Sequence, residues 1–462
     1  MKLSYSHREI FRIALPSIAT NITVPLLGLV DVAIVGHLGG ESGQAAPYIG
    51  AIAVGGLIFN MIYWLFGFLR MGTSGMTAQA YGQRNPARQI ELLIQAVVVA
   101  LSCGLFIFLL QYPIRAIAQV IIAPSPEVWL LAVDYFNIRI WAAPAALLLF
   151  AFTGWFVGMQ NSLYPLYIAI GQNIINLTLS ALLVFVFDMG IEGVALGTVA
   201  AQYAGLLSAL LLWGFHYLPR LKPHWPAWRT CIRWEKMQQF FMVNRDIFLR
   251  TLCLISVTCA FTGIGARQGD MQLAVNTLLI QLFLFFSYFT DGFALAGEAL
   301  SGKYIGAGSQ SRLNLSVRNL FIWCGSVALF FSLCYTFAGD HILSILTDDA
   351  EVIAHAMIYM DWTIAIPLVG FTAFLWDGIF IGATATRPML ITVFFSSLVF
   401  CGVYYLPHTM ELCGLSSPTW LPATNHRLWL AFCLYLAVRS IVQSFLARRV
   451  LTIEERLSQC PT

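Results

Sequence analysis

The chain has 462 residues, of which 59% are hydrophobic and 10% are charged, whereas about 25% of the residues of soluble proteins are charged. This composition excludes an ordinary soluble protein and predicts a polytopic membrane protein. The formal net charge of +3 is small and dispersed between apolar blocks, which excludes nucleic acid as a partner.

The first apolar segment, residues 10–38, is long enough to cross a bilayer, which takes roughly 20 apolar residues. It contains Pro16, Pro25 and Asp31. An Asp inside a membrane helix costs on the order of 2.5 to 3.5 kcal/mol, so we expect Asp31 to face a cavity or a polar partner and to bind the coupling ion or the substrate. Proline removes a helix hydrogen bond, so Pro16 and Pro25 are the predicted bending points.

Apolar runs of spanning length recur along the rest of the chain, and they predict an all-α fold with about twelve transmembrane helices. These runs cover residues 10–38, 48–80, 90–112, 128–157, 163–187, 190–217, 244–266, 272–304, 313–337, 352–382, 387–407 and 426–448. The longest polar interruption, 216–239, lies near the midpoint. We therefore expect an N-terminal six-helix lobe (1–217), a linker (218–243) and a C-terminal six-helix lobe (244–462).

Basic residues concentrate in alternate loops, which orients the chain by the positive-inside rule. One side holds Lys2, Arg8, Arg12, Arg84, Arg88, the linker, Lys303, Arg312, Arg387, Arg448, Arg449 and Arg456. The opposite loops are mainly acidic. We therefore expect a multi-pass protein of the plasma (inner) membrane with both termini and the linker in the cytoplasm.

Short sequence matches recur at a shared spacing of 223 to 224 residues, as from Tyr81 to Tyr304 and from Phe156 to Phe380. Two halves with an even number of spans share one orientation. Parallel repeats of this kind are typical of alternating-access transporters, in which the substrate site lies between the halves.

Polar residues inside the fifth and sixth predicted helices are candidate partners of Asp31. Asn176 and Ser180 lie four residues apart on one helical face, and Thr198 lies in the next helix. Their oxygens suit a hydrogen-bond network with Asp31 or a hard cation, although they would also serve as simple interhelical contacts. Because loss of water favours a protonated carboxyl group and a bound cation favours a charged one, proton and cationic substrate would compete there.

The second half contains three further intramembrane acids, Asp291, Glu298 and Asp377. We expect Asp291 and Asp377 to act in coupling or substrate contact. Glu298 either joins them or reaches water and a basic loop residue near the cytoplasmic end. Asp134 and Arg139, in the fourth helix, form a candidate buried pair.

Several chemical signatures are missing from the sequence. It has no G-x-x-x-x-G-K-[ST] phosphate loop, no H-E-x-x-H arrangement and no CxxC pair among its ten cysteines. We expect no enzymatic activity, no cofactor, no metal site and no disulfide framework.

Five stretches together resemble the DinF branch of the multidrug and toxic compound extrusion (MATE) family, over about residues 8–450. They are Leu26–Asp31 with Gly36–Leu38, Thr77–Gly82, Asn244–Asp246, Asp291–Phe293 with Glu298, and Asp377–Thr384. The loop Gly82–Pro86 lacks the pattern of the major facilitator superfamily.

The resemblance implies two six-helix lobes in a V, and efflux of amphipathic, often cationic compounds in exchange for protons or sodium. It also implies a polar cluster in the N-terminal lobe, whose first-helix acid, fifth-helix Asn and sixth-helix Thr match Asp31, Asn176 and Thr198. The family's fifth-helix Asp is Ser180 here, which removes an anionic ligand for sodium and favours proton coupling.

We therefore expect a monomeric secondary antiporter that exports amphipathic, cationic small molecules in exchange for H⁺ by alternating access. Sodium coupling and a lipid or lipid-linked precursor flippase are the alternatives. A non-transporting scaffold is disfavoured, because it gives no reason for four intramembrane acids.

Overall fold

The computed structural model describes residues 2–36, 45–412 and 424–453. Within these ranges the regular elements are helices, with no strand, and eleven helical segments are long and apolar enough to cross a membrane. The predicted all-α polytopic membrane fold is confirmed.

The N-terminal half of the chain forms eleven α-helices in the described ranges. They are α1 (Lys2–Gly36), α2 (Ala45–Leu65), α3 (Phe68–Gly82), α4 (Pro86–Leu109), α5 (Gln111–Ile122), α6 (Pro126–Arg139), α7 (Ala143–Gly158), α8 (Leu163–Phe185), α9 (Gly190–His216), α10 (Leu218–Leu221) and α11 (Trp228–Cys231).

The C-terminal half forms seven α-helices in the described ranges. They are α12 (Trp234–Arg267), α13 (Asp270–Gly306), α14 (Gln310–Leu346), α15 (Ala350–Ile358), α16 (Met360–Gly382), α17 (Thr386–Leu412) and α18 (Thr424–Leu451).

The helices differ from the predicted spans in four places. The second predicted span is interrupted between α2 and α3, and the fourth contains a 3₁₀ turn, Ile140–Ala142, between α6 and α7. The tenth is divided at Tyr359 into α15 and α16. Helix α12 begins at Trp234, earlier than the start at 244 that the apolar pattern predicts. The first turns of this helix are polar, so a pattern of apolar residues does not include them. The end of the first predicted span, residues 37–38, lies outside the described residues.

The chain divides into two compact units. The N-unit is Leu15–Asn244, and the C-unit is Met1–Ala14 together with Arg245–Thr462. Both boundaries fall inside a helix, in α1 and in α12. The first turns of α1 therefore belong to the C-unit.

Each unit has its own apolar core. In the N-unit the buried side chains include Tyr135 and Trp155, and in the C-unit they include Phe286 and Trp429. Large aromatic side chains contribute most of the buried area of such cores.

Two glycines bring α7 against α3 in the N-unit. A β-carbon at Gly154 would overlap the carbonyl oxygen of Arg70, and one at Gly158 would overlap that of Ser74. Small residues at this spacing let membrane helices approach closely.

The same approach recurs between α16 and α13 in the C-unit. A β-carbon at Gly378 would overlap the carbonyl oxygen of Ala294, and one at Gly382 would overlap that of Glu298. The positions are 224 residues apart (154 to 378, 158 to 382). The internal repeat predicted from the sequence is therefore present in the helix packing.

The first turns of α1 are held to α13 and α14 by polar contacts. Glu9 accepts a 2.6 Å hydrogen bond from Lys303 Nζ and another from the Tyr304 hydroxyl. Asn319 Nδ2 donates to Ser6 Oγ at 3.0 Å. These contacts make residues 2–14 an integral part of the C-unit.

The linker segment packs on α4 of the N-unit. Glu91 forms ion pairs with Lys236 at 2.9 Å and Arg88 at 3.1 Å, and Gln95 Nε2 donates to the Cys231 carbonyl oxygen at 2.9 Å. Burial raises the pKa of the Cys231 thiol, so this thiol is protonated at neutral pH.

Candidate functional site

Three polar residues predicted to surround Asp31 lie together with it inside the N-unit. Asp31, on α1, is 2% exposed, and Asn176, Ser180 and Thr198 are fully or almost fully buried. Thr198 Oγ1 donates to Asp31 Oδ2 at 3.4 Å, and Asn176 Nδ2 donates to Thr198 Oγ1 at 3.1 Å. Thr198 therefore links the first, fifth and sixth predicted spans.

The close packing of α8 and α9 sets this geometry. Asn176 and Ser180 lie on one face of α8. Gly197 precedes Thr198 on α9, and a β-carbon at Gly197 would overlap Ser180 Oγ. Ser180 thus contacts α9 beside Thr198.

Several oxygens of this cluster lack a hydrogen-bond partner among the described residues. They are Asp31 Oδ1, Asn176 Oδ1 and Ser180 Oγ. Buried polar atoms are nearly always hydrogen-bonded, so unpaired ones need a reason. Acceptor oxygens around one carboxyl group are suited to receive a proton or a cation.

Arg139 is a cation near Asp31 that the sequence pattern does not connect with it. Arg139 Nη1 donates to the Tyr135 hydroxyl at 2.6 Å, and its guanidinium lies 4.9 Å from the Phe59 ring centroid. Arg139 interacts electrostatically with Asp31. The expected pair with Asp134 does not form within the described contacts, because Asp134 is exposed and Arg139 turns toward Tyr135.

Pro16 and Pro25 lie inside α1, which is one continuous helix in the described residues. Polar side chains bond backbone carbonyl groups nearby: Thr20 Oγ1 donates to the Pro16 oxygen and Asn173 Nδ2 donates to the Thr23 oxygen, each at 2.9 Å. Such bonds stabilise a helix around proline in a membrane.

In the C-unit, Asp377 is buried between two arginines. Its Oδ2 accepts hydrogen bonds from Arg250 and, at 2.5 Å, from Arg439, while Oδ1 accepts one from Gln443 Nε2 at 2.6 Å. Neither arginine was singled out from the sequence, although both lie in apolar stretches where any ionisable residue is a functional candidate.

The other two predicted acids of the C-unit lie on α13. Asp291 is half-buried and interacts electrostatically with Tyr288 and Cys324. Glu298 is buried where α13 crosses α16, next to Gly382. Within the described residues, no group of three His, Cys, Asp or Glu side chains could hold a metal ion.

Comparison with known proteins identifies the family. A family model described as MatE matches residues 16–182 and 247–406. The chain belongs to the MatE family. DNA damage-inducible protein F of Escherichia coli (strain K12) is 38% identical over 97% of this chain and 93% of its own length. The predicted membership of the MATE family and its DinF branch is confirmed.

More distant MATE proteins extend the comparison. Multidrug and toxin extrusion protein 1 of Homo sapiens is 25% identical over 75% of this chain and 59% of its own length. A crystal structure of MATE in the bent conformation has a TM-score of 0.84 and 15% identity, covering 98% of this chain and 97% of that chain, which shows the shared fold. This MATE is therefore a multi-pass membrane transporter of small molecules and not an enzyme.

Proposed function

We propose that this MATE transporter is an antiporter that exports amphipathic small molecules, cations among them, in exchange for protons by alternating access. It would act in the plasma membrane with both termini in the cytoplasm. The observation that carries the proposal is the Asp31 carboxyl group, which is buried in a polar cluster and has one oxygen, Oδ1, without a donor among the described side chains. The extrusion named for the human relative supports the direction of transport.

A proton on Asp31 would supply what the cluster lacks. The unpaired atoms of Asp31, Asn176 and Ser180 are all able to accept a hydrogen bond, and a protonated carboxyl group adds one O–H donor. Burial without a direct counter-ion favours the neutral form of a carboxyl group. A cationic substrate would favour the charged form, so the two ligands exclude each other.

Proton coupling is preferred over sodium coupling because Asp31 is the one carboxylate among the four cluster residues, Ser180 being neutral, and a single carboxylate offers a metal ion few anionic ligands. Arg139 interacts electrostatically with Asp31. A proton neutralises the carboxylate without adding a free cation to the site.

The conformational step would take place in α1. Asp31 and both prolines belong to this helix, and Thr198 joins Asp31 to α9. Protonation changes how the carboxyl group bonds to Thr198. We therefore assign to Pro16 and Pro25 the bending that accompanies substrate release.

The test is efflux of a cationic dye, ethidium, from proteoliposomes under an imposed proton or sodium gradient. We expect the wild type to respond to the proton gradient and Asp31→Asn to be reduced to the level of empty liposomes. Asp134→Asn, at an exposed acid of α6, is the matched control and should transport normally. Undiminished proton-driven efflux by Asp31→Asn would refute the proposal, and efflux driven by sodium alone would establish the alternative.

A further inference from the structure

The charges around Asp377 do not balance. Arg250, Asp377 and Arg439 are 6%, 5% and 3% exposed. Two guanidinium groups share one carboxylate. Among the described residues, Asp377 is the acid with which Arg250 and Arg439 form ion pairs. The cluster therefore keeps one positive charge in excess inside the C-unit.

The neutral neighbours of this cluster do not remove the excess. Gln443 is an amide that donates to Asp377. Tyr435 offers its ring face to Arg439, at 5.3 Å from the centroid, and its hydroxyl group accepts a 3.4 Å bond from the same guanidinium. An aromatic ring attracts a cation but leaves its charge in place.

Hydrogen bonds are also left unmade. Arg250 Nε and Arg439 Nε are buried donors without an acceptor among the described residues. The guanidinium group presents a planar set of N–H donors that matches the oxygens of carboxylate, sulfonate and phosphate groups. One anionic group would supply both the missing charge and the missing acceptors.

A purely structural role explains the cluster less well. One arginine would be enough to neutralise Asp377, and a second buried guanidinium adds a desolvation penalty without an opposite charge to offset it. Asp377 instead holds the two guanidinium groups together, because both bond the same oxygen, Oδ2. The arrangement is a fixed pair of guanidinium groups that carries more positive charge than Asp377 neutralises.

We propose that Arg250 and Arg439, positioned by Asp377, form an anion-binding site in the C-unit, which takes the carboxylate, sulfonate or phosphate group of an amphipathic molecule. The inference rests on the proposed transport function and extends its substrates beyond cations. Asp377 is then a positioning residue for two arginines and not a proton carrier.

The experiment measures equilibrium binding of a fluorescent pair of probes to the full-length protein in phosphatidylcholine nanodiscs, with empty nanodiscs subtracted. The anionic probe is anilinonaphthalene sulfonate, and N-phenylnaphthylamine is its neutral counterpart. No ion gradient is applied, so failure of proton coupling would not affect the result. Arg312→Gln, at an exposed arginine of α14, is the control and should bind both probes as the wild type does.

Arg250→Gln removes one donor group and leaves Asp377 paired with Arg439. We expect its affinity for the sulfonate to fall about tenfold, as for the loss of one charge-assisted hydrogen bond. Its affinity for the neutral probe should not change. Equal sulfonate affinity in the wild type and in Arg250→Gln would overturn the proposal.

Asp377→Asn is the second variant, because its amide oxygen can still accept hydrogen bonds from both arginines while the negative charge that competes with the ligand is removed. We expect its sulfonate affinity to equal or exceed that of the wild type, which keeps the test valid if Arg250→Gln folds poorly. A loss of sulfonate affinity in Asp377→Asn, with the affinity for the neutral probe unchanged, would count against the site. Phosphatidylglycerol added to the nanodiscs identifies the source of the anion. If this lipid displaces the sulfonate probe from the wild type but not from Arg250→Gln, the site binds a lipid headgroup. If it does not displace the probe from the wild type, the site binds a soluble amphiphile.

Discussion

The hydroxyl group of Thr198 connects the polar residues around Asp31. It accepts from Asn176 and lies within donating distance of Asp31 Oδ2 and of the Val194 carbonyl oxygen in its own helix, so that one atom joins three helices of the N-unit. Removing it would leave a buried carboxylate and a buried amide without their shared partner.

We therefore expect Thr198→Ala to lower the free energy of unfolding by about 1 to 3 kcal/mol, the cost of leaving buried polar groups unpaired. Thr198→Ser keeps the hydroxyl group and should remain close to the wild type in stability and in proton-driven efflux. Unfolding in mixed micelles of dodecyl maltoside and dodecyl sulfate measures the difference.

The control for this change is Thr178→Ala on α8. Thr178 is exposed and its hydroxyl donates to the Ile174 carbonyl within its own helix, so its loss should alter stability by less than about 0.5 kcal/mol. If Thr178→Ala and Thr198→Ala were equally destabilised, the hydroxyl group of Thr198 would have no special role.

Individual residues also show where sequence reasoning stops. Asp31, Asn176 and Thr198 were found because an acid in an apolar helix is costly and because the family pattern names its neighbours. Arg250 and Arg439 are as costly to place in a membrane as an acid is, but an arginine in an apolar stretch does not by itself indicate which acid it pairs with. Their pairing with Asp377 depends on three helices that are distant in sequence, and no spacing rule predicts it.

Both units contain pairs of helices that pack closely at glycine residues. At Gly378 the carbonyl oxygen of Ala294 occupies the place of a β-carbon, so any side chain there must push α16 from α13. We expect Gly378→Ala to lower stability by about 1 to 3 kcal/mol, the typical result of overpacking.

Gly402→Ala is the matched change in the same unit. No atom lies within 4 Å of the β-carbon it would add on α17, and alanine favours a helix over glycine by about 1 kcal/mol. The same micelle titration should show Gly402→Ala at or above wild-type stability. A comparable loss in both variants would mean that an added methyl group lowers stability wherever it is placed, and that the crossing at Gly378 has no special role.

Apolar content located the helices well but not their interruptions. A hydropathy count registers which residues avoid water, and a break between α2 and α3 or at Tyr359 leaves that count unchanged. The polar start of α12 was missed for the opposite reason, because a helix that continues beyond the membrane no longer needs an apolar surface.

For the whole molecule, the distribution of Lys and Arg predicts the orientation in the membrane. We expect a fluorescent protein fused to the C-terminus to fluoresce, which requires a cytoplasmic location. Alkaline phosphatase fused after Asp188, between α8 and α9, should be active, which requires the opposite side. Exchanging the two reporters provides the control, and the reverse pattern of activity would show that the termini face outward.

The path of the chain between the two units has a further consequence. It passes from one to the other inside α1 and inside α12, both continuous helices, and not in a loop. If the polypeptide were cut in the linker after Leu221, the first fragment would retain residues 2–14, which belong to the C-unit. The second fragment would retain residues 234–244, which belong to the N-unit. Each fragment would thus carry a helical end that completes the other, as in a reciprocal domain swap.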